Sequence, residues 1–380
     1  MLFTCLFFAI VSTSIHAAPA DKVHIVRAPD GGIFPQAQVD SKGTLHLTYF
    51  KGDPTAGNLF YVKSTNNGVT FSKPVQVNSQ RGSVMVIGTV RGPQMALGKN
   101  GRVHVGWMGS NQAEPKADGK TPFLFTRSND AGDRFDEQRN AIVQHIGLDG
   151  GGSIAADADG QVYIAWHAPD DQPGEVNRQV WIIKSKDEGK NFTTEKQANP
   201  EPTGACGCCG MKIHALQNGQ VAITYRTATE KVHRDMHLLI SKNAGESFKV
   251  AVSDEWNIPT CAMSTFSMAS SNEKFAAAWE TEQQIKVAYR ATNIGDFSKP
   301  ITVPGQRKNQ KHPTVAIRPD GQFLVAWAEG TGWQKGGQLA WQVFNADGSA
   351  TAIAGRSNDL PMWSVPMAVT LGNGDFCVIY

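Results

Sequence analysis

The sequence predicts an all-β protein built from repeated units, and three observations support this class. Four segments, residues 64–71, 128–135, 185–192 and 241–248, share the pattern Ser-x-Asp/Asn-x-Gly-x-x-Phe. Between them lie short alternating runs of apolar and polar residues that end in an aromatic side chain. The chain has 380 residues, more than a single hydrophobic core usually serves. A repeat architecture escapes that limit, because each unit packs only on its neighbours.

The shared pattern describes a tight turn between two strands. The Asp or Asn at its third position can bond the backbone N–H groups that follow it. Gly permits a positive φ, and Phe anchors the turn against the sheet beneath. We expect these turns to be structural and to carry no chemistry. Their third positions are Asn66, Asp130, Asp187 and Asn243, and residues 291–297 look like a degenerate fifth copy.

A second repeat alternates with these turns and consists of a strand, a polar turn with Gly, and a strand that ends in an aromatic residue. Each copy predicts the first two strands of a four-stranded blade, and the third strand leads into the tight turn. The aromatic side chains, which include four tryptophans, should pack between blades. The seven copies, spaced by roughly 50 to 60 residues, cover residues 35–49, 93–107, 153–166, 211–225, 264–279, 313–327 and 366–380.

The two ends of the chain complement each other. Residues 22–27 form an isolated strand before the first copy, and the last copy stops after its second strand. Pairing the two would close a ring and remove an exposed sheet edge. The sequence therefore predicts a closed β-propeller of seven blades, formed as one domain by residues 22–380.

The N-terminal segment predicts export. Residues 2–11 are almost wholly apolar and are followed by small residues that suit cleavage, so residues 1–17 are predicted to be a cleaved signal peptide. No later stretch is long and apolar enough for a membrane span. We expect a periplasmic or secreted protein. A net charge of +2 without a long basic run argues against nucleic acid as a partner, and no protein partner is indicated.

The four tight turns resemble the Asp boxes of the sialidase-like β-propellers. This resemblance covers nearly the whole mature chain and implies a propeller whose boxes lie on the face away from the ligand. The familiar sialidase ring has six blades, which is the alternative to seven. The resemblance also implies an alternative function, that of an exo-sialidase or related glycoside hydrolase acting on sialic-acid-type glycans. Such enzymes use three arginines, a tyrosine activated by a glutamate, and an aspartate.

The sequence departs from this catalytic pattern. The family's first arginine belongs to an Arg-Ile-Pro motif, whereas the matching place here contains Gly32-Ile33-Phe34-Pro35. Tyr49 and Tyr225 fall at the aromatic packing position, so neither matches the nucleophile. The catalytic residues are therefore unknown. Position alone gives weak candidates for an acid, namely Asp53, Asp170 and Glu280.

The repeat also predicts which residues gather around the channel mouth opposite the boxes. Residues just before a first strand, just after a second strand, or at the start of a third strand should meet there. Basic side chains at such positions favour an anionic ligand, a carboxylate or an acidic glycan. The predicted ligand-binding residues are Arg91, Arg178, Arg226, Arg234 and His312.

The least expected local sequence is Cys206-Gly207-Cys208-Cys209, just before the first strand of the fourth blade. Cys261 occupies nearly the same place in the fifth blade, so these segments should be neighbours. In an exported protein such thiols favour disulfides, and as thiolates they would suit a soft ion such as copper or zinc. Both alternatives stay open. The motif, with nearby Tyr-Arg and Arg-Asp pairs, is similar to patterns in exported bacterial proteins that resemble sialidases. Cys377 is expected to be a buried free thiol.

Overall fold

The computed structural model describes residues 23–130, 132–292, 295–305 and 309–380, within which 27 β-strands form seven sheets. The predicted signal peptide lies outside these residues. The sheets surround a central channel as the blades of a propeller, and the seven blades confirm the count expected from the repeats. Within the described residues the only helices are single 3-10 turns, which are Pro29–Gly31, Lys99–Gly101, Glu175–Asn177 and Gln217–Gly219.

The first three blades each contain four antiparallel strands. The isolated first strand is β1 (Val23–Val26). Blade one consists of β2 (Ile33–Val39), β3 (Leu45–Lys51), β4 (Asn58–Ser64) and β5 (Val75–Gln76). Blade two consists of β6 (Gln94–Leu97), β7 (Val103–Met108), β8 (Phe123–Arg127) and β9 (Arg139–Asn140). Blade three consists of β10 (Gly152–Ala156), β11 (Val162–Pro169), β12 (Arg178–Ser185) and β13 (Lys196–Gln197).

Blades four to six repeat this order, and blade seven is shorter. Blade four consists of β14 (Lys212–Ala215), β15 (Val221–Arg226), β16 (Met236–Ser241) and β17 (Lys249–Asp254). Blade five consists of β18 (Phe266–Ser270), β19 (Lys274–Thr281), β20 (Gln284–Ala291) and β21 (Ile301–Thr302). Blade six consists of β22 (Gln310–Ile317), β23 (Phe323–Glu329), β24 (Gly337–Phe344) and β25 (Ala350–Leu360). Blade seven contains β26 (Met367–Thr370) and β27 (Phe376–Ile379).

The N-terminal strand closes the ring, as the sequence predicted. β1 pairs with β27, from Val23 opposite Phe376 to Val26 opposite Ile379, and gives blade seven its third strand. The pairing is parallel, whereas every third strand in the other blades is antiparallel to its second strand. His24 adds an ion-pair contact to Asp375, with 2.8 Å between Nε2 and Oδ2. Both ends of the chain are thus held in one sheet.

The repeated tryptophans pack between blades, as expected from their position. Each is almost fully buried, and each indole N–H has an acceptor, so that burial costs no hydrogen bond. For example, Trp166 donates to the carbonyl of His145 over 2.8 Å. The four residues are Trp107, Trp166, Trp279 and Trp327, at most 2% exposed.

The tight turns have the hydrogen bonds that their sequence predicts. In the third turn, Ser185 donates to the Asp187 carboxylate over 2.6 Å, and Asp187 accepts from the backbone N–H of Asn191 over 2.9 Å. These bonds hold the pKa of Asp187 well below its usual range. Gly189 has a φ of 76°, which explains the glycine at this position. The turns at Asn66 and Asn243 repeat the pattern.

The second turn differs from the expected arrangement by one residue. There Asn129 accepts from the backbone N–H of Asp133 over 3.1 Å, a role that the repeat assigned to Asp130. Asp130 is instead exposed and forms an ion pair with Arg102. The turn is still closed, because Asn129 also supplies a short polar side chain next to the turn.

The tight turns lie on the same face as the turns between first and second strands, as predicted. Backbone bonds join them directly, from Glu188 to Gly160 and from Ala244 to Gly219. We call this side the box face. The opposite side, where first strands begin and second strands end, is called the mouth face. Within the described part of the chain, no helix has the length and apolarity needed to cross a membrane.

Candidate functional site

Four cysteine sulfurs meet on the mouth face where blades four and five adjoin. The segment that carries three of them is a turn, closed by a bond from the Cys209 N–H to the Cys206 carbonyl over 3.2 Å. It is tied to both blades, because Cys206 donates to the carbonyl of Arg226 at the end of β15 and Gly210 donates to that of Ser264 before β18. The position of the cysteine turn, between the end of one second strand and the start of the next first strand, therefore follows from the repeat.

The sulfurs form one compact cluster, which we call the cysteine centre: Cys206, Cys208, Cys209 and Cys261. The Sγ of Cys206 lies 2.7 Å from that of Cys209 and 3.5 Å from that of Cys208. Cys208 is joined to Cys261 by a disulfide that bridges the two blades. Cys206 and Cys209 are free thiols that are only 1% exposed, whereas Cys261 reaches the surface. Cys377 is also a buried free thiol, but it lies in blade seven.

The centre favours a thiolate at Cys209. Burial raises the pKa of this thiol, but a hydrogen bond from Cys206, the charge of Arg226 and bonds from Ser264 outweigh it and lower the pKa. The Cys206 pKa moves in the opposite direction, because its thiol donates to Cys209 and is itself buried. The two opposite shifts favour the thiolate at Cys209, on the side of Arg226, over a thiolate at Cys206.

Arg226 is a buried support of the centre and is only 1% exposed. Its guanidinium donates to the hydroxyl of Ser264 over 2.8 Å and to the carbonyls of Arg234 and Glu280. One face of the guanidinium lies over the Trp256 ring, 4.8 Å from its centroid. The structure thus places this predicted ligand-binding residue behind the sulfurs, where it supplies a fixed positive charge.

Arg234 lies on the other side of the turn and keeps free donors. One terminal nitrogen bonds the Glu175 carboxylate over 2.7 Å, and Glu175 in turn accepts from the Gly207 N–H over 2.8 Å. The Arg234 Nε and Nη1 groups are buried without a partner among the described residues. Burial lowers the Arg234 pKa, but Glu175 and the nearby sulfurs of the centre raise it further, so the group stays charged.

Two further predicted arginines complete a charged rim beside the turn. Arg91 forms an ion pair with Asp149 over 2.6 Å, and Arg178 donates to the carbonyls of His167 and Gly147. A Cβ at Gly207 would lie 3.1 Å from the Asp149 carboxylate and 3.2 Å from the Arg178 Nε. A side chain at this position would have to push these rim residues aside by a few tenths of an ångström.

His312 bridges three blades across the top of the channel. Its Nε2 lies 2.9 Å from the hydroxyl of Thr89, and its Nδ1 lies 3.1 Å from that of Thr265. Burial and the neighbouring Lys311 charge lower the His312 pKa to about 3, so the ring is neutral near pH 7. This histidine therefore supplies a structural link, and its predicted role in ligand binding stays a prediction.

The three weak catalytic candidates are not brought together. Asp53 is exposed and bonds its own loop at Thr55. Asp170 lies near His145, 3.7 Å from carboxylate to ring nitrogen, beside blade three. Glu280 is fully buried next to Arg226 and pairs with Lys311 over 3.2 Å. Burial raises the pKa of Glu280 to about 7.

The centre is also surrounded by residues that were not predicted from the sequence, namely Asp149, Glu175, Ser264 and Trp256. Glu175 begins the 3-10 turn that leads into β12 at Arg178. Arg178 was selected because it begins a third strand, and the same rule would have found Glu175 just before it. Trp256 could not be found this way, because it follows a fourth strand and packs on the cysteines from outside. The carboxylates of Asp149 and Glu175 balance the positive charge of the arginine rim.

The fold and the repeats define a sialidase-like β-propeller. A family model for the BNR repeat-like domain matches residues 33–325, and the chain belongs to this family. None of the curated proteins compared with the chain matches it.

Solved structures share the fold at low sequence identity. A Dyadobacter fermentans protein of unknown function is 16% identical, with a TM-score of 0.54 and coverage of 90% of this chain and 98% of that one. The α-L-arabinanase of Penicillium chrysogenum, solved with arabinobiose, is 15% identical, with a TM-score of 0.52 and coverage of 86% and 98%. The Hadza microbial sialidase Hz136 is 11% identical, with a TM-score of 0.51. The alignment with this sialidase covers 86% of this chain and 66% of the sialidase.

Proposed function

We propose that this propeller binds a soft metal ion, Cu(I) or zinc, at the cysteine centre on its mouth face. The observation that supports the proposal is the convergence of four cysteine sulfurs, three of them within 4.8 Å of one another. Thiolate sulfur is the ligand that these ions prefer. A purely stabilising bridge needs two cysteines, whereas two more sulfurs are buried against this one.

The metal-binding form is the reduced one. Opening the bridge between Cys208 and Cys261 takes two electrons and two protons from an external dithiol, which leaves as a disulfide. Cys261 is exposed, so such a reductant has a sulfur to attack. The thiolates are then balanced by Arg226 and Arg234, whose positive charges favour the deprotonated sulfurs that metal binding requires. The residues around the centre thus supply the positive charge that balances the thiolates.

A metal titration tests the proposal. The reduced protein, without oxygen, should bind about one Cu(I) or one zinc ion per chain in competition with a chromogenic chelator. Cys206→Ser and Cys209→Ser should each weaken binding at least tenfold, because each removes a thiolate ligand. Cys377→Ser is the matched control and should leave binding unchanged. Equal binding by all three variants, or none by the reduced wild type, would overturn the proposal.

A second candidate function is the binding of an anionic ligand, a carboxylate or an acidic glycan, beside Arg234. The observation that favours it is the two buried guanidinium donors of Arg234 without a partner, each of which an anionic oxygen would satisfy. Related folds include a sialidase and an arabinanase solved with a disaccharide. Exo-sialidase activity is the enzymatic form of this candidate, although the family's first arginine and tyrosine nucleophile have no match here.

Calorimetry with N-acetylneuraminate and glucuronate, together with a fluorogenic sialoside, tests this second candidate. Arg234→Gln should weaken binding of the acid at least tenfold, since a buried charge-assisted pair is lost. Arg127→Gln on the box face is the control, because Arg127 pairs with Asp136 far from the mouth. Release of sialic acid by the wild type would establish the enzymatic form. If neither acid binds, this second candidate function is excluded.

The location of the protein belongs to the same proposal. The apolar segment at residues 2–11 and the small residues after it support export to the periplasm or beyond. The disulfide between Cys208 and Cys261 also suits an oxidising compartment. N-terminal sequencing of the mature protein from cell fractions should find a start near residue 18, and an uncleaved cytoplasmic protein would contradict it.

A further inference from the structure

The inner strands of the seven blades place a ring of seven residues, six of them polar, inside the central channel. The strand registers identify one equivalent residue per blade, because each is paired with the residue just before the repeated aromatic of the second strand. The ring consists of Gln36, Gln94, Ser153, Lys212, Ser267, Thr314 and Met367. Three of its hydroxyls accept from backbone N–H groups of the next blade, for example Ser153 from Ile213 over 3.2 Å. The other six ring residues are uncharged, so Lys212 is the one ring member with a formal charge.

The channel around this ring is a cavity of about 350 Å³, within the range of small-molecule sites. No Asp or Glu occurs among the described residues that line it, and Lys212 is its only lysine or arginine. The two lining histidines, His214 and His312, are neutral near pH 7, because burial lowers their pKa values to about 4 and about 3. The cavity therefore has one positive charge and no counter-charge.

Lys212 is held by a neutral partner. Its ammonium donates to the Gln94 side-chain oxygen over 2.8 Å, and Ser153 approaches the same oxygen over 3.4 Å. An ammonium has three N–H donors, so this bond leaves donors for a ligand. The amide nitrogen of Gln94 is a further donor on the same side of the channel. A cation without a carboxylate in a low-dielectric cavity costs free energy that an anion would recover.

The channel is bridged at one end and accessible at the other. At the mouth face, His312 bridges Thr89 and Thr265 across the channel, and all three side chains line the cavity. Toward the box face the lining residues become more accessible. Gln36, Ser267 and Thr314 are buried, while His214 further along is half-buried and Ser270 at the end of its strand is exposed. A ligand would enter from the box face, on the side away from the cysteine centre.

We infer that the central channel is a binding site for a small oxyanion, a carboxylate or phosphate, which enters from the box face and pairs with the Lys212 ammonium. Gln94 and the neutral His214 supply hydrogen bonds beside it. This site is separate from the cysteine centre and does not depend on the proposed metal. Neither the tight turns nor the arginine rim takes part in it.

Calorimetric titration of the full chain with sodium phosphate, and separately with sodium acetate, tests the inference at pH 7 in a chloride buffer. Lys212→Gln should weaken binding at least tenfold, because it removes the only charge in the cavity. Lys242→Gln removes the same charge from an exposed position in the tight turn of blade four and should leave binding unchanged. Cys209→Ser should also have no effect. The two titrations show whether the carboxylate or the phosphate is preferred.

A second measurement needs only the wild type, so it is independent of whether the variant folds. An amine-reactive acetylating reagent at pH 8 should modify Lys212 at least threefold more slowly when the anion is bound. Peptide mass spectrometry measures the extent of modification. Acetylation of Lys242 should not change. Equal anion binding by Lys212→Gln and the wild type, unprotected Lys212, or no binding of either anion at about 10 mM would overturn the inference.

Discussion

Glu280 shows how a single buried residue beside the cysteine centre sets a pH dependence. Burial raises its pKa from 4.5 to about 7 despite the nearby charges of Lys311 and Arg226. The folded protein therefore keeps this proton at pH values where the unfolded chain has lost it. The stabilising contribution is fully present below pH 4.5 and is lost as the pH rises through 7.

We predict that Glu280→Gln will remove this pH dependence. The neutral amide mimics the protonated carboxyl, so the stability of the variant relative to the wild type should increase between pH 5 and 8. The difference should reach at most about 3 kcal/mol, the equivalent of the pKa shift. Urea unfolding of both proteins at several pH values measures it, with Glu273→Gln on an exposed turn as the control. A difference that stays constant across this range would contradict the raised pKa.

At the residue scale the sequence predicted neighbours better than environments. It brought Cys261 to the other three cysteines because both segments precede a first strand. It did not predict that Arg226 is wholly buried, since that burial depends on the rings of Trp256 and Phe266 from the adjoining segments. It also missed the shift from Asp130 to Asn129, because two neighbouring polar residues can each close the same turn.

Single elements were predictable where a repeat defined them. The third strand of blade three, Arg178–Ser185, leads into a tight turn as the repeat predicted, because the turn motif marks its end in the sequence. The fourth strand of blade one is only Val75–Gln76, since an edge strand has one neighbour to bond. The parallel direction of β1 had no signal in the sequence, because residue alternation is the same in both directions.

Strand β1 provides the prediction at the scale of elements. Deleting residues up to 27 from the mature protein exposes the edge of β27 and removes the contact between His24 and Asp375. The melting temperature should fall by about 5 °C or more, because several kcal/mol of strand pairing and apolar burial are lost. His24→Ala alone, the control, should lower it by less than about 2 °C. Calorimetry of the three proteins decides it, and an unchanged melting temperature after the deletion would contradict closure by β1.

At the scale of the whole molecule, the ring explains why chemistry gathers on one face. Seven units point the starts of their first strands at a common mouth, so side chains distant in sequence, such as Cys208 and Cys261, become neighbours. The number of repeats predicted the number of blades, and the position of each residue within its repeat predicted its face. The sequence could not predict the charge state of the centre. That state depends on Ser264, which bonds Cys209, and on Glu175, whose charge acts on Cys206.

At this scale the proposed function requires the four sulfurs to bind one soft metal ion. X-ray absorption at the metal edge, on reduced protein loaded with one equivalent of zinc, tests it most directly. We expect a first shell of three or four sulfur atoms at about 2.3 Å, which loses sulfur in Cys206→Ser and is unchanged in Cys377→Ser. A first shell of only nitrogen and oxygen, or failure to retain the metal while Cys208 and Cys261 form their disulfide again, would contradict binding of the metal by the four sulfurs.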